Sequence, residues 1–178
     1  MHRCAAFRVN EGTPFDPTVA TKTALRAVAR RVRVLTDEIQ SADRQLQKLV
    51  ERTAPRTTAL LGVGVEIAGQ LLITAGDNPE RLRSEAAFAH LCAAAPIPAS
   101  SGRTDRHRLN RGGDRAANAA LHMAVVTRLR YHEATRAYMS RRTAEGLSKK
   151  DIMRCLKRYL AREVYAAVLA DSAAADAS

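Results

Sequence analysis

The chain has 178 residues, 46% hydrophobic and 4% aromatic with no Trp, which suits one domain with an extension and a core of Ala, Leu, Val and Ile. Its formal net charge is +11, and between residues 101 and 165 16 Lys and Arg stand against 6 Asp and Glu, so +10 lies there; charge so concentrated points to a phosphate-backbone partner rather than to solubility alone. Three scattered cysteines without C-x-x-C or Cys/His spacing argue against a disulfide frame or a metal site, and the lack of a long apolar run or a leader segment argues against a membrane and for the cytoplasm.

Residues 1–20 contain Gly12, Pro14 and Pro17 and are expected to be an irregular lead-in. Over residues 21–53 the pattern changes. Leu25, Val28, Val32, Leu35, Ile39, Ala42, Leu46 and Leu49 recur at alternating spacings of three and four, an a/d heptad seam uninterrupted by Gly or Pro. A helix of about 33 residues would reach roughly 50 Å, more than a small domain covers. The pattern predicts a coiled coil between copies of the chain; the alternative is one long helix in an antiparallel hairpin within the chain.

The stretch L-L-G-V-G-V-E-I-A resembles the hairpin of helix-hairpin-helix modules. In these, glycines such as Gly62 and Gly64 turn the chain, and the N–H groups opening the next helix hold a DNA phosphate without reading sequence. Val65 and Glu66 stand where a basic residue is usual. A structural turn packed by Leu61, Val63, Ile67 and Leu71 accounts for the same residues. Asn78-Pro79 suits a cap and first-turn pair, and Ser84 opens a short helix packed through Phe88 and Leu91.

Residues 94–115 form a long irregular connection rich in Arg, Gly, Pro and Ser, a length uncommon in a small domain unless the loop is functional or disordered. Asp114 then caps a helix expected over 115–138. Ala117, Leu121, Ala124, Val125 and Leu129 face inward, and Arg115, Asn118, His122, Arg128 and Arg130 face outward. Ser148, with Asp151 at the capping-box position, opens a last helix over 149–169. It buries Ile152, Leu156, Leu160, Val164, Tyr165 and Val168 and presents Lys149, Lys150, Arg154, Lys157, Arg158 and Arg162. Residues 171–178 are small and polar and are expected to be disordered. No strand signal stands out. The expected fold is all-α: a coiled-coil helix (21–53), then a compact helical domain (54–170) with a helix-hairpin-helix-like turn and a long basic loop.

The chain has no G-x-x-x-x-G-K-[ST] loop, no G-x-S-x-G elbow and no acidic cluster for a two-metal centre. Ser100 and Ser101 in P-A-S-S-G remain. A hydroxyl can attack a DNA phosphodiester and conserve the bond energy in a covalent link, given cations on the non-bridging oxygens. Arg103, Arg106, His107, Arg108, Arg111 and Arg115 are near enough in sequence to supply them, and Lys157 and Arg158 extend the basic surface. The same composition also suits a loop that only grips phosphates. His107 fits either a base for the serine or another phosphate contact.

As a string the loop is more specific. S-S-G-R-T-D-R-H-R-L-N-R-G-G-D-R-A-A-N-A-A-L-H resembles the signature of the C-terminal transposase domain of the insertion-sequence family one-ten, related to the Piv-type DNA invertases. L-L-G-V-G-V-E-I-A-G-Q-L-L-I-T-A-G-D and T-R-A-Y-M-S-R-R-T-A-E-G-L-S-K-K-D-I-M-R-C-L-K-R-Y-L match the same domain. The heptad helix matches the coiled coil that precedes it, so the resemblance covers about residues 21–170. It implies a recombinase whose catalytic serine matches Ser101, with Ser100 as the fallback. It further implies a RuvC-like domain with a Mg²⁺-binding D-E-D-D tetrad, a bridge RNA guide, and active sites shared between protomers. The RuvC-like domain is not found in this chain. The expectation is therefore a C-terminal part without a cofactor of its own, nucleoid-associated in a bacterium and inactive alone. The alternatives are a non-catalytic DNA- or RNA-binding and oligomerisation module, or a decayed fragment.

Overall fold

Pro17 opens a helix instead of blocking one. The computed structural model describes residues 2–7, 16–76, 82–99, 107–108 and 110–176. In it a short helix α1 (His2–Ala5) is followed by α2 (Pro17–Thr53). Asp16 Oδ1 accepts from the Thr18 N–H at 2.8 Å. Proline suits the first helical position because that N–H has no intrahelical acceptor. The irregular lead-in expected through residue 20 is thus corrected at both ends; Gly12 and Pro14 lie outside the described residues. Helix α2 contributes to two compact units, Met1–Gln45 and Leu46–Ser178. In the first, Ala29 is buried while Leu25, Val28, Leu35 and Ile39 of the heptad seam are exposed.

The second unit is built from α3 (Pro55–Thr58), α4 (Val65–Ala75), α5 (Glu85–Leu91), α6 (Arg115–Tyr131), α7 (Glu133–Ala144) and α8 (Lys149–Asp176). Helix α8 packs against α3, α5, α6 and α7, and α4 packs against α6. Phe88, Leu71, Leu121, Ile152, Leu160 and Val164 form the centre of the core. Alanines between them (Ala68, Ala117, Ala124, Ala161) are also buried, and their small size lets helix backbones approach closely, as the aromatic-poor composition requires. Val50 of α2 belongs to this core, beside Gly69. The architecture is all-α, as the sequence predicts. Among the described residues the only strands are a two-residue ribbon, β1 (Ile97–Pro98) antiparallel to β2 (His107–Arg108).

Several local expectations hold. Ser84 caps α5, accepting from the Ala87 N–H at 3.2 Å. Asp114 caps α6, accepting from the N–H groups of Ala116 (2.7 Å) and Ala117 (3.3 Å). The Asp151 N–H donates to Ser148 Oγ at 3.2 Å, and that hydroxyl donates back to Asp151 Oδ2 at 2.6 Å. The Asn78-Pro79 pair lies outside the described residues.

Three further expectations are corrected. The helix expected over 115–138 breaks at His132, in extended backbone (φ −105°, ψ 112°), where the ring Nδ1 lies 2.7 Å from Thr135 Oγ1 and pins the corner between α6 and α7. Arg128, expected on the outer face, is buried. Its Nε donates to the Leu61 carbonyl at 2.7 Å and its other nitrogens reach Glu163 at 3.0 and 2.7 Å. A buried guanidinium is tolerable when its donors are matched in this way. The third correction is the tail. Helix α8 continues to Asp176, and Asp171 is 3% exposed. Its carboxylate accepts from the N–H of Arg56 (3.0 Å), the N–H of Thr57 (2.9 Å) and the Thr57 hydroxyl (2.8 Å). A side chain 115 residues away caps α3, and no local pattern announces such a partner.

Candidate nucleic-acid interface

The basic loop leaves the core at the end of α5 and returns at the start of α6, and both stems are tied to the same turn. On the outgoing side the N–H groups of Ala94 and Ala95 both donate to the Ala89 carbonyl, at 2.8 and 3.0 Å. Ala93, immediately before them, has φ +52°, a conformation uncommon for a residue with a side chain. The returning side is tied by Asn110, whose Nδ2 donates to the His90 carbonyl at 2.9 Å and whose Oδ1 accepts from the Gly112 N–H at 2.9 Å. The Asp114 N–H donates to the Leu91 carbonyl at 2.7 Å.

Gly113 permits this approach. A Cβ there would lie 2.5 Å from the Ala93 nitrogen and 2.6 Å from the His90 oxygen. Asn118, one turn into α6, donates to the carbonyls of Cys92 (3.1 Å) and Ala93 (2.8 Å) and accepts from Lys157 Nζ at 2.8 Å. Asp114 also accepts from the Thr74 hydroxyl at 2.6 Å; that bond leads the contacts that hold its carboxyl below the usual range. Burial pushes the adjacent Cys92 thiol up to about 12, helped by the Asp114 charge, so it stays protonated. Asn118, expected on the outer face of α6, turns instead to Cys92, Ala93 and Lys157, and Asn110 and Thr74 are not among the sequence-predicted site residues. Asn110 stands between arginines in the sequence, and nothing local marks Thr74.

The predicted site residues divide into three groups. Ser100, Ser101, Arg103 and Arg106 lie outside the described residues. His107 and Arg108 on β2, Arg111, and Arg115 at the first position of α6 are all exposed on the returning side of the loop. Among the described residues Arg108, Arg111 and Arg115 have no carboxylate partner. Such unpaired guanidiniums are free to meet phosphates.

Lys157 and Arg158 form the third group and are already engaged. Lys157 is half-buried against Asn118, and loss of hydration, together with the Arg154 charge, lowers its pKa. Arg158 reaches Glu85 at 2.7 Å, and Arg162 meets the same carboxylate at 2.5 Å. The two guanidiniums hold the Glu85 carboxyl down to about 2.

At the hairpin, Gly62 adopts φ +86°, and a Cβ there would lie 2.7 Å from the Ala124 carbonyl oxygen. The turn is therefore pressed against α6, and Arg128 holds the neighbouring Leu61 carbonyl. Gly64 differs: it caps α4 at an ordinary φ of −74°, a Cβ there would meet open space, and no side chain makes a capping hydrogen bond. Between residues 93–96, β2 and α8 lies a cavity of about 610 Å³, lined in part by Arg108, Arg154, Lys157 and Tyr159. No helix among the described residues is long and apolar enough to cross a membrane.

Two comparisons with known proteins bear on this site. Residues 54–140 match the family model described as Transposase IS116/IS110/IS902 family. The chain is 29% identical over 124 residues to the insertion element IS110 uncharacterized 43.6 kDa protein of Streptomyces coelicolor, an alignment covering 67% of this chain and 30% of that protein. The chain thus spans about a third of the length of this relative. The family match begins one residue before α3, takes in the hairpin and both stems of the basic loop, and ends within α7. Residues 54–140 are therefore a transposase domain of the IS116/IS110/IS902 family.

Proposed function

We propose that this chain acts in DNA strand exchange during transposition, supplying a serine nucleophile and a nucleic-acid-binding surface. The observation that carries the proposal is the family domain at 54–140 enclosing a serine-bearing loop. The stems of that loop are tied to the core, and its returning side presents Arg108, Arg111 and Arg115 without carboxylate partners among the described residues. In this reading Ser101, or Ser100 one residue before it, attacks a phosphodiester. The serine Oγ–P bond forms as the bond to the leaving strand's oxygen breaks. The hydroxyl proton passes to a base, for which His107 is the candidate, and the leaving oxygen takes up a proton. The arginines, with Arg103 and Arg106, offset the charge that develops on the non-bridging oxygens. Gly64 and the uncapped start of α4 suit a second phosphate contact of the helix-hairpin-helix kind.

The rest of the machinery belongs to the proposal as well. A RuvC-like domain with its Mg²⁺ acts with this chain, a guide RNA selects the DNA, the α2 seam joins copies, and the setting is a bacterial nucleoid. No residue of this chain is assigned to the metal. Ser101→Ala, combined with the RuvC-like domain in trans and DNA carrying the element ends, tests the nucleophile. The expected result is loss of the covalent protein–DNA adduct with DNA binding retained. An unchanged adduct in both Ser101→Ala and Ser100→Ala would leave the second reading, a binding and oligomerisation module. The exposed α2 seam supports that reading independently.

A further inference from the structure

The 610 Å³ cavity beside the loop combines features that a phosphate-gripping surface does not need. Its size lies within the roughly 300–1,000 Å³ typical of small-ligand sites. One wall is α8, which contributes Cys155 and the ring of Tyr159. Tyr159 is 48% exposed, and its ring is held edge-on to Tyr138 with centroids 5.6 Å apart. The opposite wall is the turn at residues 93–96, backbone and small apolar side chains locked by Asn118 and Ala89. Arg108 stands at the cavity with no carboxylate partner among the described residues, whereas Arg154 and Arg158 are paired with Asp151 and Glu85. Lys157 is turned to Asn118. The lining thus brings together an aromatic ring, a turn of small apolar residues and, at Arg108, a guanidinium without a carboxylate partner among the described residues.

We propose that this cavity receives one unpaired nucleotide of a nucleic-acid strand, its base against Tyr159 and its phosphate on Arg108. A base inside a duplex is stacked on both sides and cannot enter, so the site selects single-stranded or extruded nucleotides. An apolar or neutral side chain as occupant would leave Arg108 without an anionic partner and a carboxylate side chain would leave the aromatic face without one, whereas a nucleotide brings a base for the ring and a phosphate for the guanidinium. The inference rests on the nucleic-acid reading above, but it does not depend on the serine.

The test uses the full chain and single-stranded eight-nucleotide probes carrying 2-aminopurine, one of DNA and one of RNA, against a duplex of the same sequence. The expected result is fluorescence quenching on binding of a single strand, with Tyr159→Ala weakening affinity about tenfold and Arg108→Ala raising the Kd and flattening its salt dependence. The DNA and RNA arms decide which strand is the natural source. Tyr159→Leu, which keeps bulk against Tyr138, guards against misfolding and should lose quenching with helicity unchanged. Tyr131→Ala, an exposed tyrosine at the end of α6, should leave binding unchanged. Binding of the single strand with no effect of Tyr159→Ala or Tyr159→Leu would overturn the cavity alone. No binding of any probe by the unaltered chain would overturn the nucleic-acid reading with it.

Discussion

At Gly113 the loop's return depends on one missing methyl group. The space a Cβ would need is filled by backbone of Ala93 and His90, which cannot swing aside as a flexible side chain can. Gly112, one residue earlier, would place a Cβ at an ordinary 3.6 Å from the Asn110 side chain. Gly113→Ala is therefore expected to cost about 2 kcal/mol of stability through overpacking, and Gly112→Ala less than about 0.5 kcal/mol, both read by urea unfolding. Equal effects would show that the crowding at Ala93 relaxes freely. The two glycines are adjacent and alike in sequence, and their difference lies in what stands opposite them. Arg128 makes the same point: helical spacing put it outward, and only the carbonyl of Leu61 and the carboxylate of Glu163 make burial tolerable.

Among elements, α2 has the least covered apolar surface. Val28 is 60% and Ile39 59% exposed, and a seam of exposed aliphatic residues on a helix is the geometry from which coiled coils form. Replacing both Val28 and Ile39 with Lys is expected to weaken self-association at least tenfold by sedimentation equilibrium, because each change puts a charge in the apolar seam. An unchanged association constant would move the contact elsewhere. The period of three and four made the helix legible without any partner in view. The break at His132 was less legible, since no Gly or Pro interrupts 115–138 and the corner depends on one side-chain contact to Thr135. Helix α8 outlasts its expected end for a related reason: Asp171, read locally, is a polar residue near a terminus, yet it is the cap of a distant helix.

At the scale of the second unit, Glu85 joins α5 to α8 through Arg158 and Arg162. Its carboxyl titrates near 2 instead of the ordinary 4.5, so protonation is harder in the folded state than in the unfolded one. The contribution is fully present above pH 4.5 and is lost as pH falls toward 2. Glu85→Gln should lower Tm at neutral pH and make the acid limb shallower across that window, with the two proteins converging at its lower end. Parallel acid limbs would show that the pair adds nothing, as many solvent-accessible pairs do. The Glu85 bridge also bears on function. Arg158 reads as a free cation in the sequence but is paired with Glu85, whereas Arg108, Arg111 and Arg115 on the returning side of the loop have no carboxylate partner among the described residues.

The sequence by itself determined the all-α class, the long seam of α2, the caps at Ser84, Asp114 and Ser148, and the concentration of charge around one loop. These depend on periodicity, composition and contacts between neighbours in the chain, all of which are local. The motif string also pointed to the transposase family that the domain match bears out. Only the tertiary structure decided which cations are engaged, why Gly62 and Gly113 must be glycine, and that Asn110 and Asn118 bind the loop stems to the end of α5. It also formed the cavity beside Tyr159. Each of these is a meeting of residues far apart in sequence, and whether a buried polar or charged group is satisfied depends on the partner that folding brings to it.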